Sequence, residues 1–267
     1  MIKWVRLSSW IFVGSCALII SYYVLFPHVW HCQWIDFSDF KKINPRLYIS
    51  TKIPQKYVHQ ADILVKEARH SIEQLWGESQ GRGTVIICST SEEYERYCHS
   101  SEGAGCSIGT PWGESFIILN LDGLNVDVIA HEMCHDELFC RLGWWTTTRQ
   151  IPQWFNEGLA LMVDHRFVSS TDSIQRYIDY QEACLSASKG GQTVLELKEI
   201  STMKGFFGGD ESRVFLAYMT AATEVSRWLM KEGTNQIPYF IYRIKAGESF
   251  DDIYPFVPPK GMNKRHQ

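Results

Sequence analysis

The sequence lacks an excess of basic residues. Among its 267 residues, 26 are Lys or Arg and 30 are Asp or Glu, which leaves a formal net charge of −4. Residues of both signs are mixed along the chain and are not concentrated in one region. A nucleic-acid partner requires a dense basic surface, so the composition argues against one.

Cysteine pairs of the kind that bind zinc are missing, and so are sequence repeats. The chain has eight cysteines but no C-x-x-C arrangement, which argues against a cysteine zinc knuckle. No internal repeat or low-complexity segment is visible.

Hydrophobic residues make up 45% of the chain and aromatic residues 13%, which is enough to bury a core. We therefore expect one domain of catalytic size, built as a single body or as two lobes.

Charged residues are absent from a long stretch near the N-terminus. None occurs between Arg6 and Asp36, and the apolar run 7–26 would extend about 30 Å as a helix, the thickness of a membrane's hydrocarbon core. The early basic residues favour a cytoplasmic N-terminus. The sequence thus predicts a cytoplasmic segment 1–6 and a transmembrane anchor 7–30. The protein would be a single-pass protein of the cell (inner) membrane with its main domain on the non-cytoplasmic side.

Two alternatives for this stretch stay open. Small residues at 14–17, including Cys16, would suit a cleaved signal peptide or a lipidated precursor, and the run could also be a buried core helix. Beyond it the sequence predicts a juxtamembrane segment 31–52, a main domain 53–255 and a tail 256–267.

Seven of the eight cysteines follow the apolar run. Disulfides persist outside the cytoplasm, and the loop HSSEGAG joins Cys98 to Cys106, which makes these two the best candidates for a pair. Spacing alone does not establish the pairing, and buried thiols are an equally good interpretation.

The first part of the main domain mixes helix and strand patterns. Apolar residues recur at helical spacing over 53–76, and β-branched runs at 83–90 and 115–121 are typical of buried strands. Between these runs we expect a short helix over 91–98 and a glycine-rich loop over 100–114.

After residue 123 the pattern becomes helical. Asn125 can cap a helix that runs to Leu142 and stops at Gly143, and a second helix is expected to open at Pro152 and run through Val163. Further helices are expected around 173–186, 213–231 and 235–245. A small β-sheet part followed by a helical part is an α+β arrangement.

The helix predicted after Asn125 contains the motif HEMCH. Positions i and i+4 share one face of a helix, so His131 and His135 can both reach one zinc ion. Glu132 could then hold a zinc-activated water and take its proton as general base. The competing interpretation is a helix with two structural histidines, because the chain has nine histidines and short motifs also arise by chance.

A third ligand is expected in the segment IPQWFNEGLALMVDH. Glu157 falls 22 residues after His135, which is enough for the chain to turn back and pack a second helix against the first. Its carboxylate would complete a His, His, Glu set with a fourth position open for water. Gly158 would permit the close approach of another backbone. Candidate hydrogen-bond partners for the ligands are Asp136, Asn156 and Asp164, which could equally be surface polar groups.

HEMCH followed by WFNEGLA resembles the gluzincin zinc metallopeptidases, and W-x-N-E-G-x-A is close to the third-ligand segment of their aminopeptidase N-like branch. The segment from Phe215 to Tyr254 is similar to the closing helices of small bacterial peptidase MA-like domains. The resemblance covers 84–254 and implies a zincin-like metallopeptidase fold. It implies zinc ligands at His131, His135 and Glu157, a general base at Glu132, and a transition-state tyrosine at Tyr218 that stabilises the oxyanion. The competing interpretation of Tyr218 is a core residue.

Departures from the aminopeptidase pattern narrow the expected activity. The gap between the second histidine and the glutamate is longer, and the G-x-M-E-N stretch that would capture a free amino terminus is missing. An endopeptidase for peptide or protein substrates is therefore expected, with the strand 115–121 pairing with an extended substrate. The alternative is a non-catalytic zinc-stabilised domain that binds peptides or partners at the membrane.

Overall fold

The computed structural model describes residues 14, 17–101 and 103–254. Contacts between Cα atoms divide the chain into two compact units. The first unit consists of the described parts of Met1–Ala68, Arg82–Thr110 and Glu114–Asp136. The second unit consists of the described parts of Arg69–Gly81, Pro111–Gly113 and Glu137–Gln267. The fold is α+β, as predicted. The predicted tail 256–267 lies outside the described residues.

The predicted transmembrane anchor is wrong. Among the described residues, no helix combines the length and apolar character needed to cross a membrane, and this finding also contradicts the single-pass topology and the membrane localisation. Described residues 17–25 of the predicted anchor are helical. The helix stops at Phe26, because Pro27 begins a separate helix with its own first turn. Residues 7–13 and 15–16 of the predicted anchor, and the whole predicted cytoplasmic segment 1–6, lie outside the described part of the chain.

A five-stranded mixed sheet forms the centre of the first unit. Its strands are β1 (Phe40–Asn44), β2 (Leu47–Ser50), β3 (Thr84–Ile87), β4 (Gly105–Gly109) and β5 (Ser115–Leu119), arranged in the order β1-β2-β3-β5-β4. Strands β2, β3 and β5 run parallel, while β1 and β4 are antiparallel to their neighbours at the two ends. The sheet therefore ends at β4 on the side of β5.

Helices account for most of the remaining chain. They are α1 (Pro27–Gln33), α2 (Gln55–Trp76), α3 (Ser91–Cys98), α4 (Val126–Leu142), α5 (Trp144–Gln150), α6 (Gln153–Ala160), α7 (Ser173–Ala187), α8 (Met203–Phe207), α9 (Glu211–Glu232), α10 (Gln236–Lys245) and α11 (Phe250–Ile253). A short 3-10 turn follows α1 over Ile35–Phe37. Each of the long helices that the sequence predicted is present, with ends within a few residues of the expected ones.

Three strands depart from the sequence prediction. β1 and β2 lie in the segment 31–52, which was expected to precede the domain, and β4 lies in the predicted glycine-rich loop. Short side chains in β4 hide its strand character, because its pairing comes from backbone hydrogen bonds to β5, with Gly105 opposite Leu119. β5 lies between β3 and β4, so both of its edges are occupied. The prediction that 115–121 pairs with a substrate strand is therefore wrong.

The core of the first unit includes an aromatic and cysteine-rich cluster. Its buried members are Cys32, Ile35, Tyr48, Ile86, Cys88, Tyr94, Tyr97, Phe116 and Ile118. A disulfide joins Cys98, at the end of α3, to Cys106 on β4, which confirms the pair that the sequence favoured. The disulfide closes a loop of nine residues between those two elements.

In the second unit, α9 packs against α7 and α6. The close approach of α6 to α9 depends on Gly158, because a Cβ atom there would lie 2.6 Å from the carbonyl oxygen of Ala221 and 2.6 Å from Cγ2 of Val225. The predicted close backbone approach at Gly158 is present, but the neighbouring backbone is that of α9 and not that of the helix that carries HEMCH. An aromatic cluster completes this core and comprises Trp154, Phe155, Trp228, Phe240, Phe250 and Tyr254.

Candidate metal centre

Helix α4 is held at its start and near its middle by hydrogen bonds. The Asn125 side chain accepts a hydrogen bond from the backbone N–H of Val128 at 2.9 Å, as expected for a helix cap. The buried carboxylate of Asp136 accepts from the backbone N–H of Gly83 at 2.7 Å and from the hydroxyl of Ser115. Because Gly83 and Ser115 lie at the starts of β3 and β5, Asp136 ties this turn of α4 to the sheet.

The turn that Asp136 anchors carries the two predicted histidine ligands. The rings of His131 and His135 have centroids 5.0 Å apart and planes 81° apart. Both side chains are buried, with residue exposures of 5% and 7%. Placement one turn apart on a fixed helix therefore brings the two imidazoles together, as the i, i+4 spacing predicts.

Glu157 joins the two histidines in one buried cluster. One ligand atom from each of His131, His135 and Glu157 can be chosen so that all three lie within 4.8 Å of one another. Glu157 is 4% exposed. This is the one such group of three metal-binding side chains found among the described residues.

The donor set fits a single metal ion. Zinc bonds of about 2.0–2.2 Å place the ligand atoms of one ion roughly 3–4 Å apart, close to the spacing of this cluster. Two imidazoles and one carboxylate also leave a coordination position open, as catalytic sites do. Donor sets of this kind bind zinc and also other transition metals such as iron. The buried His, His, Glu group could thus hold a metal ion.

The orientation of Glu157 depends on its own helix. Its Oε1 accepts a hydrogen bond from Nε2 of Gln153 at 2.7 Å, one turn earlier on α6. Sequence reasoning assigned no role to Gln153, although its i−4 spacing from the expected ligand was a usable signal. Such a partner fixes which way a ligand carboxylate points.

Glu132 lies on the same turn as the ligands and packs against β4. Its side chain is largely buried, at 7% exposure. Its Cγ lies 3.0 Å from the position that a Cβ of Gly105 would take. The absence of a side chain at Gly105 therefore makes room for Glu132 beside the edge strand.

Other predicted residues have different surroundings. The ring of Tyr218 on α9 packs edge-on against Phe206, with centroids 5.0 Å apart, and its catalytic role stays a prediction. Asp164 forms an ion pair with Arg166, at 2.5 Å between Nη2 and Oδ2. Asp136 serves as the helix anchor described above, and no role is established for Asn156.

Comparison with protein-family models gives no match, and comparison with curated proteins gives no significant match either.

Proposed function

We propose that this protein is a zinc-dependent metallopeptidase of the gluzincin type. The observation that carries the proposal is the buried cluster of His131, His135 and Glu157, with Glu132 next to the first histidine. A zinc ion held by these three side chains would supply Lewis-acid chemistry, which acidifies water and polarises a peptide carbonyl. The sequence motifs HEMCH and WFNEGLA support the same function through their resemblance to gluzincins.

Glu132 has the role of general base in this proposal. Its carboxylate takes a proton from a water molecule, and the water oxygen forms a bond to the carbonyl carbon of the substrate. Glu132 then gives the proton to the amide nitrogen as the C–N bond breaks. The products are a carboxylate and an amine, so no other reactant is required. Burial of Glu132 limits competition from bulk water.

The sheet edge at β4 suits an extended peptide substrate. Within the described residues β4 pairs with β5 alone, which leaves its outer backbone groups available to a further strand. Gly105 at the start of β4 lies beside Glu132. A peptide paired with β4 would therefore run past the proposed base, and an endopeptidase activity follows from such a placement.

The test compares the wild type with Glu132→Gln on a broad peptide library, with cleavage products identified by mass spectrometry. We expect the variant to keep its zinc and to lose hydrolysis by about 100-fold or more, because general base catalysis contributes roughly that much. Equal cleavage by both proteins would contradict the proposal. If neither protein cleaves although both bind zinc, the chain is a non-catalytic zinc-stabilised domain that binds peptides or partner proteins.

A further inference from the structure

Tyr94 on α3 is a buried tyrosine whose hydroxyl makes no hydrogen bond to any described residue. The residue is 1% exposed and belongs to the core cluster of the first unit. A buried hydroxyl without a partner costs free energy. A purely structural position would therefore favour phenylalanine, and the hydroxyl of Tyr94 calls for another explanation.

The segment Gly103–Gly105 borders both Tyr94 and Glu132. The hydroxyl oxygen of Tyr94 lies 3.8 Å from the position that a Cβ of Gly103 would take. Two residues later, Cγ of Glu132 lies 3.0 Å from the corresponding position at Gly105. Tyr94 and Glu132 therefore both lie beside the same short stretch of backbone.

The electrostatics of Tyr94 agree with this arrangement. Burial is the main reason why the pKa of the Tyr94 phenol is raised, and the negative charge of Glu132 raises it further. The phenol therefore keeps its proton at neutral pH and remains a hydrogen-bond donor. A carboxylate is the strongest acceptor that such a donor can meet.

We propose that Tyr94 is a positioning residue for Glu132, whose carboxylate accepts a hydrogen bond from the Tyr94 hydroxyl in the metal-loaded protein. Catalytic hydrogen bonds are often long before the site is loaded and shorten afterwards. The bond would restrict the carboxylate to the orientation in which it can take a proton from water. This inference rests on the proposed function, since that function makes Glu132 the base.

The test uses the zinc-loaded full chain and the conservative variant Tyr94→Phe. Tyr97→Phe is the matched control, because Tyr97 is also buried, lies one turn further along α3 and belongs to the same core cluster. We expect Tyr94→Phe to lower kcat by about 10-fold with KM and zinc content unchanged, since it removes an orienting contact and no ligand. Tyr97→Phe should keep the wild-type kcat.

A second measurement does not depend on activity. Melting temperatures of the wild type, Tyr94→Phe, Glu132→Ala and the double variant form a double-mutant cycle. We expect Tyr94→Phe to lower Tm by about 2–4 °C when Glu132 is present, and to have no such effect when Glu132 is replaced by alanine. This dependence reports contact between the two side chains.

The outcomes separate the two proposals. If no hydrolysis in the wild type depends on Glu132, the proposed function fails, and the Tm cycle alone decides whether Tyr94 contacts Glu132. Equal Tm shifts in the two backgrounds overturn the role of Tyr94. An unchanged kcat in Tyr94→Phe overturns it as well.

Discussion

At the scale of single residues, a glycine on β4 decides where the Glu132 side chain can lie. A Cβ at Gly105 would meet Cγ of Glu132 at 3.0 Å, Cδ2 of Leu119 at 3.0 Å and Cγ1 of Val128 at 3.1 Å. These distances are shorter than ordinary van der Waals contact. All three neighbours are buried, so an added methyl group would require Glu132 and its two apolar neighbours to shift.

Replacement of Gly105 by alanine should therefore displace Glu132 without touching a metal ligand. We expect Gly105→Ala to lower kcat by about 10- to 100-fold, since a small misplacement of a catalytic group has an effect of that size, while zinc content stays at the wild-type level. Ser107→Ala on the same strand is the matched control, because the Ser107 hydroxyl has no partner among the described residues. Wild-type kcat in Gly105→Ala would show that Glu132 tolerates the added methyl group.

At the scale of elements, the contact between α6 and α9 holds Glu157 in place. Gly158 follows Glu157 directly and lies against the backbone of α9 at Ala221. We expect Gly158→Ala to lower the free energy of unfolding by about 1–3 kcal/mol, the usual cost of overpacking, and to weaken zinc binding because α6 must shift. Denaturant unfolding and a zinc titration check this. A variant with unchanged stability and zinc affinity would contradict the account.

The sequence patterns predicted elements well where side chains carry the signal. The helix that ends at Leu142 was recognisable from its cap and its apolar period, and the buried strands from their β-branched runs. Strand β4 was missed because its residues are small and its order comes from pairing with β5. The predicted anchor at 7–30 was wrong, because no helix among the described residues combines the length and apolar character needed to cross a membrane; a separate helix begins at Pro27.

Some residues of the candidate site could also be predicted from the sequence, and others could not. The clustering of His131 and His135 could be predicted because their geometry is set by spacing along one helix, while the role of Glu132 stays a prediction. Gln153 could have been found as well, because it lies four residues before Glu157 on the same helix. The position of Tyr94 could not, since it matters through a glycine segment that the fold brings alongside. Such tertiary neighbours leave no pattern in a single sequence.

For the molecule as a whole, the stability should fall at acidic pH because of two histidines in α1, His28 and His31. The pKa of His28 is below its ordinary value of 6.5, chiefly because of burial and also because of the charges of His99 and His31. The pKa of His31 is lowered by burial and by Arg96. The rings of His28 and His99 stack with centroids 4.9 Å apart, and a proton on His28 is unfavourable in the folded state.

The sign of this effect follows from linkage. Since the unfolded chain binds protons more readily than the folded one, the stabilising contribution is present above about pH 6.5. It is lost as the pH falls through the lower folded-state pKa. We expect the Tm of the wild type to drop between about pH 7.5 and about pH 5. The Tm of His28→Gln should drop by less over the same range. His59→Gln is the control, because His59 is exposed. The prediction is contradicted if the Tm of His28→Gln depends on pH in the same way as the Tm of the wild type and of His59→Gln.

The central claim is that His131, His135 and Glu157 hold one catalytic zinc ion. Metal analysis of the purified protein tests it most directly, with His135→Ala as the ligand variant and His70→Ala, on the exposed face of α2, as the control. We expect about one zinc per chain in the wild type and in His70→Ala, and a loss of most of it in His135→Ala. A folded wild-type protein without zinc, or a His135→Ala variant that keeps it, would contradict the account.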